Sequence, residues 1–256
     1  MSEIYFSIVT PVYNGEKYLE DTIKSVVNQS FKNFEYIVID GESKDNSINI
    51  INKYKDKITK IISEKDNNMY EAIHKGFSLA SGHYYLWLNS DDVLIDNHVL
   101  ERLYFLLKKK KYQWIIGKIA ILENNKIKNY FPLSYPQFII KNGLANNCFW
   151  GFIQQENVVF SKDLYNKSGS ININYKMAGD FHLWKNFALH EKLISINLPI
   201  AAHRKWPGQM TQLDQYYYEI KKKRCKINFF YLLRFIYSLL MLPIIYFRDF
   251  NVQNNK

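Results

Sequence analysis

Cysteine is almost absent from this 256-residue chain: Cys148 and Cys225 are the only two. They lie far apart and form no metal-binding spacing. This excludes a disulfide scaffold and points to a reducing compartment. No glycine-rich phosphate loop is present. Neither G-x-G-x-x-G nor G-x-x-x-x-G-K-[ST] follows the first apolar run, so dinucleotide and P-loop readings lose support. A signal peptide is not expected, because Met1-Ser-Glu-Ile runs straight into an apolar strand. Acidic residues are in deficit. Lys and Arg number 34 against 24 Asp and Glu, giving a net charge of +10. That balance favours anionic partners, namely nucleic acid, an anionic membrane or phosphorylated substrates.

Hydrophobic residues make up 47% of the chain, enough for a substantial core in one α/β domain with a tail. The first half alternates strand and helix patterns. Strands are expected at Phe6–Val12, Phe34–Ile39, Ile58–Ser63 and Tyr84–Leu88. Helical periodicity follows Gly15, and helices are expected at Ser47–Tyr54 and Met69–Ala80. This series implies a parallel sheet with right-handed crossovers. The second half is less regular. Helices are expected at Val99–Leu107 and Asp180–Leu189, and strands at Trp114–Leu122, Val158–Phe160 and Leu193–Ile200.

The tail changes character after Tyr218. A basic cluster, Lys221–Lys226, precedes an apolar aromatic run, Ile227–Phe247. Arg234 and Pro243 interrupt that run, which favours a pair of interfacial helices lying on a membrane. Packing on the domain's own core and true spanning are the alternatives.

Four predicted strands end in polar or acidic loops: Thr10-Pro-Val-Tyr-Asn14, Asp40-Gly-Glu-Ser-Lys-Asp45, Glu64-Lys-Asp66 and Asn89-Ser-Asp-Asp92. In a parallel sheet these ends share one edge, where ligands bind. Any one such loop is weak evidence, because turn residues commonly end strands. Together they can build one pocket. Tyr13 can stack on a base, and Asp40 and Asp66 can hold base or ribose groups. Hard oxygen ligands at Asp91 or Asp92 suit Mg2+ or Mn2+ carrying a diphosphate. Asp91 and Asp92 can also serve simply as caps for the following helix, and Asp180 can do the same for its own helix. His74, His83, His98 and His190 show no shared metal spacing and read as structural.

These stretches, with Ser25-Val-Val-Asn-Gln29, Met69-Tyr-Glu-Ala-Ile-His-Lys-Gly76, Gly151-Phe-Ile-Gln-Gln155 and Met177-Ala-Gly-Asp-Phe-His-Leu-Trp184, resemble the family-2 inverting glycosyltransferases with the GT-A fold. The nearest likeness is to bacterial enzymes of exopolysaccharide, capsule or lipopolysaccharide synthesis. The resemblance covers about residues 4–210. It implies an α/β fold, a mixed Rossmann-like sheet flanked by helices. Residues 1–215 would form the catalytic domain, with 1–95 its nucleotide half and 96–215 its acceptor half. Residues 216–256 would form a membrane-associating tail.

The resemblance also implies roles. Thr10, Pro11, Tyr13, Asn14, Asp40, Asp66, Lys75, Asn89 and Ser90 would hold the nucleotide of a UDP-sugar. The family's D-x-D motif falls on Asn89-Ser90-Asp91, with Asn in place of the first Asp. Asp91, or its rival Asp92, would hold Mn2+ or Mg2+. Asp180 would be the catalytic base. Gly179 stands where relatives often have Glu, and Gln154 where many have His. Gln154, Gln155, Arg204 and Trp206 would contact acceptor or donor sugar. Arg204 or Lys205 would neutralise diphosphate, within a His203–Gln209 segment that is similar to a closing segment in relatives. A solvated basic turn is the plainer reading of that segment.

The expected activity is transfer from a UDP-sugar to a lipid-linked oligosaccharide or lipopolysaccharide acceptor. It would take place at the anionic cytoplasmic face of the bacterial inner membrane, with peripheral attachment. The alternatives are a catalytically inactive nucleotide-sugar-binding or scaffold subunit, and a nucleotidyltransferase, whose N-terminal glycine-rich loop is missing. Nucleic acid is not expected as a partner, because the basic residues cluster beside the apolar tail.

Overall fold

A computed structural model describes residues 3–130, 132–146, 150–206, 213–220 and 230–253. Cys148, Cys225, the Lys221–Lys226 cluster and Pro207–Gln209 lie outside the described residues. In chain order the elements are β1 (Phe6–Val12), α1 (Leu19–Val27), β2 (Phe34–Asp40), α2 (Ser47–Lys53), β3 (Lys60–Ser63), α3 (Met69–Ser78) and β4 (Tyr84–Trp87). There follow β5 (Val93–Leu94), α4 (Val99–Lys110), β6 (Trp114–Lys118), β7 (Ala120–Glu123), β8 (Lys126–Asn129), α5 (Gln137–Lys141), β9 (Val158–Ser161) and α6 (Lys162–Lys167). The last are α7 (Gly179–Phe187), β10 (Ile194–Pro199), β11 (Ala201–Arg204), α8 (Leu213–Glu219) and α9 (Phe230–Gln253).

The main sheet has seven strands in the order β10-β6-β9-β4-β1-β2-β3. β1 runs parallel to β2 and β4, and β2 runs parallel to β3. Every residue of β1 is buried, as expected of a central parallel strand covered on both faces. Pro11 follows the last β1–β4 pair, Val9–Trp87, so its missing N–H removes no ladder bond there. β9 is antiparallel to both β4 and β6, so the sheet is mixed. Pairing of Val12 with Asp40, and of Asp40 with Ser63, brings three strand ends level. The N–H of Leu88 donates to the Val9 carbonyl and brings the Asn89–Asp92 loop to the same edge. The four loops expected to converge do so.

Several expectations need correction. The apolar run Trp114–Leu122 is two strands. It breaks at Ile119, and β6 stays in the main sheet while β7 joins a second sheet of order β5-β11-β7-β8. The strand at Leu193–Ile200 likewise hands over to β11, so His203 and Arg204 sit in a strand. The apolar tail is one helix, α9, with Pro243 inside it, and not a pair. It packs on the domain, mainly against β10 and α4. Ser238 and Ile245 are fully buried, and the Ser134 N–H donates to Ser238 Oγ at 3.1 Å. Arg234 Nη1 donates to the Trp150 carbonyl at 2.8 Å. An outward face remains apolar, with Leu240 71% exposed. No helix among the described residues is long and apolar enough to cross a membrane.

Candidate active site

The loops after β1 and β2 brace each other. Asn14 takes a left-handed backbone (φ 50°), which Asn tolerates well. Its N–H donates to Ser43 Oγ at 2.9 Å, and its Oδ1 accepts from the Lys44 N–H at 2.8 Å. The Gly15 N–H donates to Ser47 Oγ, and the Glu16 N–H to Asp45 Oδ2. On this rim Tyr13 is 65% exposed, open for a planar ligand. Asp40 is buried, and its Oδ2 accepts from Ser63 Oγ at 2.7 Å and the Ser43 N–H at 3.2 Å.

Asp66 presses on the backbone of Gly41, where a Cβ would fall 2.6 Å from its Oδ2. Gly41 is therefore a close-approach glycine. Burial raises the Asp66 carboxyl, opposed by the nearby Lys75. Lys75 itself pairs with Glu64 at 2.8 Å, which raises its pKa. Thr10 and Pro11 reach the same edge, but their side chains are buried. The Tyr36 hydroxyl donates to Thr10 Oγ1 at 3.2 Å, so that hydroxyl faces the core.

The Asn89–Asp92 loop is held from below. Thr22 Oγ1 donates to the carbonyls of Ser90 and Asp92, at 2.9 and 2.7 Å. Asn89 Oδ1 accepts from Trp87 Nε1 at 2.7 Å. The two adjacent carboxylates then part. Asp91 is at the rim, and its Oδ2 accepts from Trp206 Nε1 at 3.1 Å. Asp92 is fully buried and accepts from the Arg204 N–H at 2.9 Å.

Behind Asp92 lie Glu156 and His203, with ligand atoms of all three within 4.8 Å of one another. Burial raises the Asp92 carboxyl. Burial and the charge of Asp92 push Glu156 up to about 8. Burial disfavours a charged His203, but the Asp92 hydrogen bond and the Glu156 charge outweigh it and raise His203 to about 9. Without a bound cation the trio shares protons, and its three ligand atoms are also close enough to hold a cation, with Asp92 Oδ2 buried and without a hydrogen bond among the described residues.

Arg204 sits inside the wall at 6% exposure. Nε donates to the Asp91 carbonyl at 2.8 Å, Nη2 to Asp21 at 3.0 Å, and the guanidinium lies 4.4 Å above the Tyr18 ring. It supports the Asp91 loop from inside the wall. Trp206 packs on Tyr18 at 5.5 Å, with Lys17 4.9 Å over the indole.

Asp180 opens α7. Gly179 admits the Tyr70 ring, which would stand 2.8 Å from a Cβ at that position. The Tyr70 hydroxyl donates to Asp180 Oδ1 at 3.4 Å. Burial pushes the Asp180 carboxyl up to about 6, held back by the Phe181 N–H and the Tyr70 hydroxyl. Glu219 of α8 fastens the approach to α7. It accepts from the N–H groups of Lys176, Met177 and Ala178 at 3.0, 2.9 and 2.9 Å. Gln154 and Gln155 directly precede Glu156 in the chain, and Gln154 lines a pocket beside Arg234 and Phe235.

The supporting groups Tyr70, Glu219, Glu156, Asp21 and Tyr18 were not singled out from the sequence. Tyr70 lies inside the Met69–Gly76 stretch, and Glu156 directly follows the Gln pair. Glu219 carries no local signal.

The family model described as "Glycosyl transferase family 2" matches residues 7–168, more than half of the chain. A relative from Escherichia coli, "UDP-Glc:alpha-D-GlcNAc-diphosphoundecaprenol beta-1,3-glucosyltransferase WfgD", is 27% identical over 224 residues, covering 87% of this chain and 85% of its own. Glycosyltransferase GlyG of Streptococcus pneumoniae is 24% identical over 228 residues, covering 84% and 75%. Among solved structures, S. aureus TarS 1-349 in complex with UDP-GlcNAc gives a TM-score of 0.67 at 17% identity, covering 84% of this chain and 64% of that one. This chain thus spans less than two thirds of the TarS fragment's length. Mannosyltransferase PcManGT from Pyrobaculum calidifontis, in complex with GDP-Man and Mn2+, gives 0.62 at 13% identity, covering 96% and 73%. At such identities the structural likeness speaks for the fold alone, and that fold is GT-A. The family match, which runs across all four strand-end loops, settles the rest: this chain belongs to glycosyl transferase family 2 and is a glycosyltransferase.

Proposed function

We propose that the protein transfers a sugar from a UDP-sugar to a lipid-linked glycan, with inversion at the anomeric carbon. The reaction would serve synthesis of a bacterial surface polysaccharide at the cytoplasmic face of the inner membrane. The observation that carries the reading is the Tyr70–Asp180 contact. It ties a carboxyl raised to about 6 to α3, the helix that begins beside Asp66. A base poised near neutral pH suits proton removal from a hydroxyl.

In this mechanism Tyr13, Asp40 and Asp66 receive the uridine. Asp180 takes the proton of the acceptor hydroxyl as its oxygen bonds the anomeric carbon. The bond from that carbon to the β-phosphate oxygen breaks on the opposite face, and UDP departs. One displacement inverts the centre and needs no covalent nucleophile.

A divalent cation fits the rim. One carboxylate together with substrate phosphates is a common holder for Mg2+ or Mn2+, and Asp91 supplies that carboxylate. Asp92, turned to His203 and Arg204, would position it. When bound, the cation would neutralise charge on the leaving diphosphate. The acceptor class draws support from the lipid-linked substrate in the E. coli relative's name and from the outward apolar face of α9.

The test is a donor screen by UDP release, followed by transfer to lipid-linked glycans and determination of the product's anomeric configuration. Inversion is expected, so an α-linked donor should give a β-linked product. A product that retains the donor's configuration overturns the mechanism.

A further inference from the structure

Beside the amino-terminal half of α9 lies a cavity of about 620 Å³. That is within the range of small-molecule sites. Its wall is mostly apolar: Ile119, Ile121, Leu133 and Phe235 all face it. Three residues with polar groups share that wall, Arg234, Gln154 and Tyr130.

Arg234 is seated by a specific device. Gly151 adopts φ +84°, and a Cβ there would fall 1.8 Å from Arg234 Nη1. Glycine suits the left-handed turn, and its missing side chain leaves the space that the guanidinium occupies. The hydrogen bond to the Trp150 carbonyl then holds the cation at the cavity wall. Gln154 Oε1 is buried with no hydrogen-bond partner among the described residues. Such an acceptor calls for a hydroxyl or N–H donor. Outside the cavity, the apolar face of α9 continues through Ile236, Leu239, Leu240 and Ile244, all exposed.

Gln154 stands two residues before Glu156, which packs against Asp92 and His203.

An apolar wall, a fixed cation and a buried hydrogen-bond acceptor together describe one amphipathic ligand. We propose that this cavity is the subsite for the membrane-proximal part of a lipid-diphosphate acceptor. Its apolar chain lies against Ile121 and Phe235, its diphosphate meets Arg234, and a sugar hydroxyl reaches Gln154 Oε1. The proposal rests on the lipid-linked acceptor argued under Proposed function. A flat bilayer surface would use neither a concave wall nor a buried acceptor atom, which is why the ligand is a single lipid.

The test measures binding of farnesyl diphosphate to the full chain by titration calorimetry, apart from any turnover. Phe235→Asp and Arg234→Gln should each weaken it about tenfold, the order of one lost aromatic or charged contact. Arg234→Lys should restore most of the affinity. UDP affinity should not change in any variant. Methyl diphosphate should bind far more weakly, with no response to Phe235→Asp.

Unchanged farnesyl diphosphate affinity in both variants, or no binding by the wild type, overturns the proposal. So does an equal loss of UDP affinity, which would mark a folding defect. Loss of phosphatidylglycerol-vesicle binding alone, with farnesyl diphosphate binding intact, would assign the face to the bilayer and also overturn it. If wild type binds farnesyl diphosphate but turns over no UDP-sugar, the subsite stands and the enzymatic reading falls. Turnover with a short-chain acceptor but no lipid binding gives the reverse.

Discussion

The Tyr70 hydroxyl lies 3.4 Å from Asp180 Oδ1, and the ring of the same tyrosine fills the space that a side chain at residue 179 would need. Two segments 110 positions apart thus meet at the proposed base. Tyr70 favours the carboxylate and burial disfavours it, and the balance is a value of about 6. A base must be ionised, so kcat/KM should rise with pH through about 6 and level off above it. Tyr70→Phe removes an interaction that lowers this pKa, so the limb should move to higher pH. A pH–rate profile checks both, and an unmoved limb speaks against the contact.

Glu219 takes three backbone N–H bonds just before α7. Hydrogen bonds to a charged group are worth about 1.5–3 kcal/mol each, and exposure reduces that here. Glu219→Ala should cost about 2 kcal/mol in a urea titration and lower kcat about tenfold by loosening Asp180. UDP affinity should stay the same. Full activity at reduced stability would show that the loop does not position the base.

The Asp92–Glu156–His203 cluster makes stability depend on pH. His203 has a folded pKa of about 9 against an ordinary 6.5, and Glu156 about 8 against 4.5. In both cases the folded protein keeps a proton that the unfolded chain releases. Their contribution is therefore full below those ordinary values and is lost as pH rises. Tm should fall between pH 6.5 and 9, the window of His203. Glu156→Gln, which cannot ionise, should give a flatter curve. A Tm that climbs across this window contradicts the cluster's protonation.

Asp91 and Asp92 should behave differently despite adjacency. Asp91→Asn should abolish the response to added Mn2+ and lower kcat/KM by about 10²-fold or more. Trp206→Phe removes only the indole N–H contact and should keep the Mn2+ response. Asp92→Asn should mainly lower Tm, because its carboxylate is buried against His203 and Arg204. Metal titrations of the three variants decide the assignment.

The two faces of α9 make opposite predictions. Leu240→Asp, on the exposed side, should reduce binding to phosphatidylglycerol vesicles with Tm nearly unchanged. Ile245→Asp places a charge at a fully buried site and should unfold the protein. Cosedimentation and melting curves separate them. Removing the whole tail is a poorer test, because Ser238, Ile245 and Arg234 pack on the domain.

The first half of the chain was readable because buried parallel strands are continuous apolar runs that stop abruptly at polar loops. Asp40, Asp66 and Asp91 reach one edge for that reason alone. The second half was not readable in this way. Trp114–Leu122 hides a change of sheet at Ile119 inside one apolar run. Burial facing is also invisible to composition: Thr10 turns to Tyr36, and Arg204 turns to Asp21, though each stands at a suggestive position. The charge at Arg234 looked like a break in the tail. It is instead seated over Gly151, a contact between residues 83 positions apart, and α9 runs on unbroken.

The most direct measurement is UDP release from a panel of UDP-sugars in the presence of Mn2+, comparing wild type with Asp180→Asn. The account predicts release by wild type from at least one donor, a fall of about 10²–10⁴-fold in the variant, and equal UDP affinity in both. Release from no donor, or undiminished release by Asp180→Asn, would contradict it.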